Sequence, residues 1–449
     1  MNALESVRKA LVLGLGSSGL AAARLLRRRG IAVTAVDAKP ADPRVREALD
    51  AAGAACLAPR GDDLEPDADL AVASPGVRAE GPWIRGLRLR GVPVISEVEL
   101  GWLCRGRARV LAVTGSNGKS TLVKLCAEAL TRAGLRASPA GNYGLPVCDV
   151  VESGEWDWLV IEVSTFQLET FDRFRPDIGI LLNLYPNHLD RHGTMAVYAG
   201  LKARLFARME TGDTALAHEG AAAFLPRPPC GKGTLRLFGT GYGSDYRYRD
   251  GRVTGLRDGG SVSVMGTLFG NEILGTAAAA AAGALEAAGA PPAALEGAAA
   301  AFESLPHRMQ KVRTLGGVTF IDDSKATNLA AVSAALRMCA SPVRLIAGGL
   351  LKETDVGGLK DFLVKKCAKV YGIGKTAPYL EKEWGKWVPF EDCHELVRAV
   401  RTAWREAKAG DTVLLSPGCA SFDQFKSFEE RGEQFICVVQ ALETEKERL

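Results

Sequence analysis

The chain has 449 residues, 47% hydrophobic and 24% charged, which is the ordinary soluble globular range and enough length for about three domains. Its formal net charge of +4 is too small to point to nucleic acid or an anionic membrane surface. Ten cysteines lie scattered from Cys56 to Cys437 without a Cys-x-x-Cys pair, which argues for buried or incidental thiols in a reducing, cytoplasmic setting.

Arg8-Lys9 and the apolar run Ala10 to Ala23 have the outline of a signal peptide, but the glycines inside the run fit a strand-to-helix turn better. The pattern predicts a strand Ala10–Leu13, a glycine turn, a helix Ala21–Arg29 and a strand Ala32–Val36. Strands Leu70–Ala73 and Val92–Ile95 follow, then a connector from Glu97 to Arg107. Strands alternating with helices imply a mostly parallel sheet. Gly14-Leu15-Gly16-Ser17-Ser18-Gly19 is a G-x-G-x-x-G turn, and Asp37 ends the next strand, where a ribose-binding acid sits. Alone, this motif argues for NAD and an oxidoreductase; a tight turn on a doubly wound sheet is the plainer reading. Arg24, Arg27, Arg28 and Arg29 read as a solvated helix end meeting the negative pole of the helix dipole.

The second segment opens with the apolar run Arg109 to Val113, then Thr114-Gly115-Ser116-Asn117-Gly118-Lys119-Ser120-Thr121, then a predicted helix Leu122–Arg132. Strand, glycine-rich turn, Lys-Ser and helix form a nucleotide phosphate cradle, in which Lys119 reaches the terminal phosphates and Ser120 offers its hydroxyl to Mg²⁺. The common pattern has Gly five residues before Gly118; Val113 stands there, so the loop is a shortened variant. Glu162 lies near the end of the apolar strand Trp158–Val163, placed to hold Mg²⁺ or to form a strand-end ion pair. A further strand is predicted over Ile178–Leu184, and Glu169 and Asp172 read as surface charges. His188 and His192 have a zinc-compatible spacing, but oxygen ligands around Mg²⁺ suit the neighbourhood better, and spacing alone leaves His188 open. Lys202, on the amphipathic stretch Tyr198 to Met209, reads as an ordinary solvated lysine. Gly239 to Gly260, with alternating Val262 and Val264 beyond, predicts a β-hairpin region, and the Ala-rich run from Ala277 a core helix too short to span a bilayer.

The third segment predicts strands Val318–Ile321, Val343–Ala347, Lys369–Ile373 and Thr412–Leu415. Asp322-Asp323-Ser324-Lys325-Ala326-Thr327-Asn328 follows the first of these and reads both as a capped helix start and as an anion site. Ser416-Pro417-Gly418-Cys419-Ala420-Ser421 likewise follows a strand as an anion-binding turn; no partner histidine marks Cys419 as a nucleophile.

The shortened loop, Glu162-Val163-Ser164, and Asn183 with His188-Leu189-Asp190-Arg191-His192-Gly193 resemble the Mur ligases, ATP-dependent amide-forming enzymes related to folylpolyglutamate synthetases. Gly141-Asn142-Tyr143-Gly144, Leu305-Pro306-His307-Arg308, the Asp323–Asn328 run and Ser416–Phe428 narrow the similarity to the D-glutamate-adding type, and the ordered set spans the whole chain. The resemblance implies an α/β fold in three domains: a Rossmann-like domain over residues 1–97 for the UDP substrate, a central P-loop ATPase-like domain over 98–302, and a Rossmann-like C-terminal domain over 303–449.

By the same resemblance, Gly16, Ser17, Ser18, Asp37, Ser74, Pro75, Gly76 and Asn142 hold UDP-N-acetylmuramoyl-L-alanine. Gly115 to Thr121, Asn271, Arg308, Asp323 and Lys325 hold ATP, and Thr327, Lys352, Ser421 and Phe428 hold D-glutamate. Ser120, Glu162, His188 and a carbamylated Lys202 serve two Mg²⁺ ions, with Lys119, His188, Lys202, Arg308 and Lys325 as the catalytic set. The partners are these small molecules, with a monomeric protein and no membrane insertion or nucleic acid. An amide ligase adding another residue, or glutamyl groups, is the nearest alternative. Two positions depart from the family pattern: Leu350-Leu351 stand where an Asp commonly follows Gly348-Gly349, and Leu274 where a second Asn follows Asn271.

Overall fold

The computed structural model describes residues 4–57, 67–226, 229–340, 342–352 and 355–442. It has the expected α/β class, with three sheets in succession along the chain. The first contains β1 (Lys9–Leu13), β2 (Ala32–Val36), β3 (Ala55–Cys56), β4 (Leu70–Ala73) and β5 (Val94–Ser96), all parallel, in the order β3-β2-β1-β4-β5. The second contains β6 (Arg109–Thr114), β7 (Ala137–Gly141), β8 (Trp158–Glu162), β9 (Ile178–Leu181), β10 (Thr214–His218), β11 (Thr234–Gly239), β12 (Tyr246–Arg249), β13 (Arg252–Thr254) and β14 (Ser261–Ser263). Their order is β14-β13-β12-β11-β10-β9-β6-β8-β7, parallel except at the β12-β13-β14 end. The third contains β15 (Gln310–Leu315), β16 (Val318–Asp322), β17 (Val343–Gly348), β18 (Cys367–Ile373), β19 (Phe390–His394) and β20 (Thr412–Leu415). Its order is β15-β16-β20-β17-β18-β19, with only β15 antiparallel. Strands buried on both faces, such as Trp158–Glu162, read as continuous apolar runs because helices cover each side.

The chain packs as two compact units, one of Met1–Leu184 with Gly193–Phe302, the other of Glu303–Leu449 with the segment Tyr185–His192. The first two sheets belong to the first unit and the third to the second.

The first glycine turn is fixed by close approach. Gly14 has φ +86, and a Cβ on Gly19 would fall 1.9 Å from the Gly14 carbonyl oxygen. The helix behind the turn therefore starts at Ser17, four residues before its predicted start. Gly19→Ala should cost about 1–3 kcal/mol through overpacking, read as a lower denaturation midpoint; an unchanged midpoint would refute the packing argument.

The predicted connector after β5 is a helix, Glu97–Leu103. Ser96 Oγ accepts the Glu99 amide at 3.0 Å, so the overlooked signal was the Ser-x-x-Glu start pattern. The arginine cluster also differs from the expectation of a merely solvated helix end. Arg24 forms two hydrogen bonds to Asp149, at 2.9 and 2.8 Å, while Arg29 and Arg28 reach Glu152 at 3.0 and 3.3 Å. Both acids lie on the helix Val147–Ser153, so the cluster ties the first sheet's layer to the second's. Such partly exposed pairs contribute roughly 0–1 kcal/mol each and act mainly on register.

In the second sheet, the helix after β6 begins at Lys119 rather than Leu122, and β9 ends at Leu181 rather than Leu184. The predicted hairpin is present: Arg249 pairs with Arg252 across Asp250-Gly251, both at positive φ (+47 and +78) as a two-residue turn requires. The Ala-rich helix is Glu272–Ala288, and its Gly275 and Gly283 admit the rings of Tyr248 and Tyr246; a Cβ would meet them at 2.3 and 2.7 Å. Small residues on that face let the meander's tyrosines close the core. No helix among the described residues is long and apolar enough to cross a membrane.

Candidate active site

The phosphate loop leaves the carboxyl end of β6, the edge where open parallel sheets bind ligands. Gly115 (φ +156) and Gly118 (φ +79) permit its turns, and Gly118 starts the helix Lys119–Arg132 without a side-chain cap. That leaves the positive pole of a fourteen-residue helix directed at the loop. Asn183 shapes the turn from behind. Its Oδ1 accepts the Ser116 and Asn117 amides at 2.9 and 3.0 Å, and its Nδ2 donates to the Asn117 carbonyl at 3.0 Å. Lys119 Nζ curls over the loop to donate to the Ser116 carbonyl at 3.0 Å.

Glu162 ends β8, beside β6, and is only 2% exposed. Its carboxylate accepts the Ser120 hydroxyl at 2.5 Å and Asn142 Nδ2 at 2.8 Å. The structure thus brings Ser120 and Asn142, from two distant motifs, onto the carboxylate of a third. Ser120 and Glu162 offer adjacent hard oxygens, a donor set that suits Mg²⁺, which takes few protein ligands and completes its shell with phosphates and water. Among the described residues no cluster of three His, Cys, Asp or Glu forms a closed metal cage.

Lys202 is not a solvated lysine. It is 1% exposed, its Nζ donates to the Gly115 carbonyl at 2.8 Å and lies 4.6 Å from the centre of the Tyr198 ring. Burial holds its pKa well below the usual lysine value, the Lys119 cation adds to that, and Glu162 opposes it. The helix carrying it, Met195–Ala203, is anchored by Thr194 at its start. Tyr198 on the same helix was missed in the sequence: its hydroxyl lies 3.0 Å from Ser116 Oγ, and burial pushes its pKa up to about 12. Only its four-residue spacing from Lys202 could have pointed to it.

In the first sheet's turn, Asp37 accepts the Leu15 amide at 2.7 Å and the Lys39 amide at 3.1 Å, and Ser74 Oγ donates to the Gly14 carbonyl at 2.9 Å. Gly16 has open space where a Cβ would stand, so the backbone there is accessible to a ligand, with Ser17 and Ser18 in the first helical turn. Pro75 and Gly76 follow Ser74 at the carboxyl end of β4. Asn271 uses its side chain as a helix cap, accepting from Leu274 N at 3.0 Å and donating to the Leu268 carbonyl at 2.7 Å.

The second unit holds the remaining candidates. His188, half-buried at φ +54, starts the short helix Leu189–His192. Two separately noted runs meet here: Ser416 Oγ donates to Asp323 at 2.9 Å, and the Gly418 amide to the Ala326 carbonyl at 2.8 Å. Burial raises the Asp323 pKa to about 7, while Ser416, the Met309 amide and Arg308 pull the other way. Asn328 caps the helix Leu329–Met338, so the capped-start reading of this run holds. Lys325 Nζ sits 3.6 Å from the centre of the Phe428 ring. Arg431, also missed, is 1% exposed and binds Ser324 and the Cys419 carbonyl; no local pattern announces a buried arginine. Ser421 and Cys419 are buried, Thr327 half-buried and Lys352 exposed. Leu350 pairs its backbone with Ala420, at 2.8 and 2.9 Å, tying the departing loop to the Ser416–Ser421 turn.

Comparison with known proteins places each segment. Residues 8–96 match the Mur ligase MurD-like N-terminal domain, 113–267 the Mur ligase middle domain, and 307–419 the Mur ligase glutamate ligase domain. The UDP-N-acetylmuramoylalanine–D-glutamate ligase of Solibacter usitatus is 38% identical over 98% of this chain and 99% of its own. The ligase of the same name from Rubrobacter xylanophilus is 40% identical over 96% and 97%. Among solved structures, a pseudomurein peptide ligase type C from Methanothermus fervidus superposes with TM-score 0.60 at 15% identity, over 97% of this chain and 100% of that one. The MurF ligase from Thermotoga maritima in complex with ADP gives 0.58 at 18% identity, over 95% and 96%. The structural likenesses attest the fold, and the near full-length relatives settle the family: the chain belongs to the Mur ligases.

Proposed function

We propose that this protein joins D-glutamate to UDP-N-acetylmuramoyl-L-alanine, with ATP converted to ADP and phosphate. The observation that carries the reading is the gathering of Lys119, Ser120, Glu162 and Lys202 around one phosphate loop. The name borne by the full-length relatives supports the choice of substrates.

A carboxylate resists attack by an amine because its charge repels the nucleophile and oxide is a poor leaving group. In the proposed sequence, an oxygen of the alanyl carboxylate attacks the γ-phosphorus of ATP, the bond to the β-bridging oxygen breaks, and ADP leaves. The amine of D-glutamate then attacks the acyl carbon of the resulting acyl phosphate. The C–O bond breaks, phosphate leaves, and the nitrogen gives up a proton to water. Lys119 offsets charge on the phosphoryl group as it moves, and the helix start behind Gly118 holds the remaining phosphates. Arg308, Asp323 and Lys325 are the second unit's ATP groups in this reading; Thr327, Lys352, Ser421 and Phe428 are its D-glutamate groups. The turn Gly16-Ser17-Ser18 with Asp37, Ser74, Pro75 and Gly76 takes the uridine diphosphate, and Asn142 the muramoyl part.

Mg²⁺, held by Ser120 and Glu162, supplies Lewis-acid stabilisation of phosphate charge. Glu162→Gln should raise the Mg²⁺ concentration for half-maximal rate by about tenfold or more; an unchanged requirement would remove Glu162 from the metal. A second ion is assigned to His188 and Lys202, the latter as its carbamate. The depressed basicity of Lys202 supports this, because only an uncharged amine can add to carbon dioxide.

The test is phosphate release from ATP with UDP-N-acetylmuramoyl-L-alanine and a panel of amino acids. D-glutamate should be required. Equal release with another amino acid, or none with D-glutamate, would overturn the assignment.

A further inference from the structure

The second sheet's parallel strands put their amino ends at the edge opposite the phosphate loop. There, ahead of β6, β9, β10 and β11, opens a cleft of about 570 Å³. Its lining includes Trp102, Arg105, Arg173, Arg175, Arg208 and Lys232, against the two carboxylates Asp177 and Glu210. Ligands of the reaction belong at the other edge, so the proposed chemistry gives these five cations no role.

The carboxylates nearby are already engaged. Asp177 accepts the Val110 amide at 2.8 Å and lies 3.5 Å from Arg109. Glu210 holds Lys232 at 3.0 Å. Asp213, behind the wall, takes Arg175 in a two-pronged pair at 2.7 and 3.2 Å. Three guanidinium groups remain. Arg173 and Arg208 share one exposed carboxylate, Asp172, at 4.0 and 3.5 Å. Arg105 has no carboxylate within ion-pair distance among the described residues. It stacks 4.3 Å over the Trp102 ring and donates Nη1 to the Trp102 carbonyl at 2.7 Å. Among the described residues, its Nε and the Trp102 Nε1 are buried without a hydrogen-bond partner. Burial works against the Arg105 charge, so a nearby anion would offset a cost the fold already carries.

We propose that this cleft is a second anion site, remote from the phosphate loop, that takes a diphosphate group. Arg105, Arg173 and Arg208 outnumber the carboxylates left beside them, Asp172 and Glu99, and the positive excess suits a polyanion whose two linked phosphate groups meet more than one fork. Guanidinium forks match pairs of phosphate oxygens. The face of Trp102 under Arg105 is already covered, which favours a bare diphosphate over one whose base must stack.

Equilibrium dialysis of the full chain at low ionic strength tests this, with labelled pyrophosphate and, as a second arm, UDP. Four proteins are compared: wild type, Lys119→Ala, and each of these with Arg173→Gln and Arg208→Gln together. Both arginines are more than half exposed, so the pair should leave the fold and ATP-dependent phosphate release unchanged. The expected result is one pyrophosphate equivalent weakened at least tenfold by the glutamine pair, with or without Lys119. If UDP loses an equivalent in the same way, the diphosphate is borne by a nucleoside; if pyrophosphate alone does, it is free. Pyrophosphate binding indifferent to the glutamine pair in both backgrounds would overturn the proposal.

Discussion

Lys119→Ala should lower the rate of phosphate release by about 10³-fold with all substrates saturating, the range for removing a group that meets charge developing in the transition state. Its Nζ donates to a loop carbonyl, 3.0 Å from Ser116 O, while the loop's shape is set by Gly115, Gly118 and Asn183. The alanine variant should therefore keep its thermal midpoint, and its binding of the UDP substrate should hold. A loss below tenfold would mean that another cation meets the phosphoryl group. A collapse of the midpoint would mean that the lysine is structural.

Lys202→Ala should cost about 10²–10³-fold in rate, and short carboxylates such as acetate should restore part of it, because the reactive form assigned to this side chain is an anion with two oxygens. No rescue together with near-normal activity would sink the carbamate assignment. Stability should move the other way. The amine's pKa in the folded chain lies well below its ordinary 10.5, so the folded state binds fewer protons at this position than the unfolded state. The resulting destabilisation is greatest below the folded pKa and shrinks as pH rises toward 10.5. In carbonate-free buffer, Lys202→Met should thus melt higher than wild type at neutral pH, with the gap closing in alkali. A lower melting point at neutral pH would contradict the burial argument.

The two lysines mark what a sequence can and cannot disclose. Lys119 is legible because its setting is local: an apolar strand, two glycines and a helix start lie within about a dozen residues. The same holds for Glu162 at its strand end and for the Asp250-Gly251 turn. Lys202 looks like any lysine on an amphipathic helix, since what buries it, the Tyr198 ring and the loop's own backbone, is assembled by tertiary packing. The arginines from Arg24 to Arg29 were misread for the same reason: their acids, Asp149 and Glu152, lie more than a hundred residues away. Short strands such as β3 and β13 carry too few residues to establish a period. The helix Glu97–Leu103 was a different kind of miss, because Ser96 and Glu99 do announce it. The family resemblance supplied what remained, chiefly the roles proposed for Lys202, Thr327 and Phe428, which no local pattern could give.

The segment Tyr185–His192 packs with the second unit yet is embedded in the sequence of the first. During synthesis it leaves the ribosome roughly a hundred residues before Glu303, which at about 5–20 residues per second leaves it waiting several seconds for its partner. The chain also passes between units three times, so a single proteolytic cut after Phe302 would not release the second unit whole: its octapeptide, with His188, would stay on the other fragment.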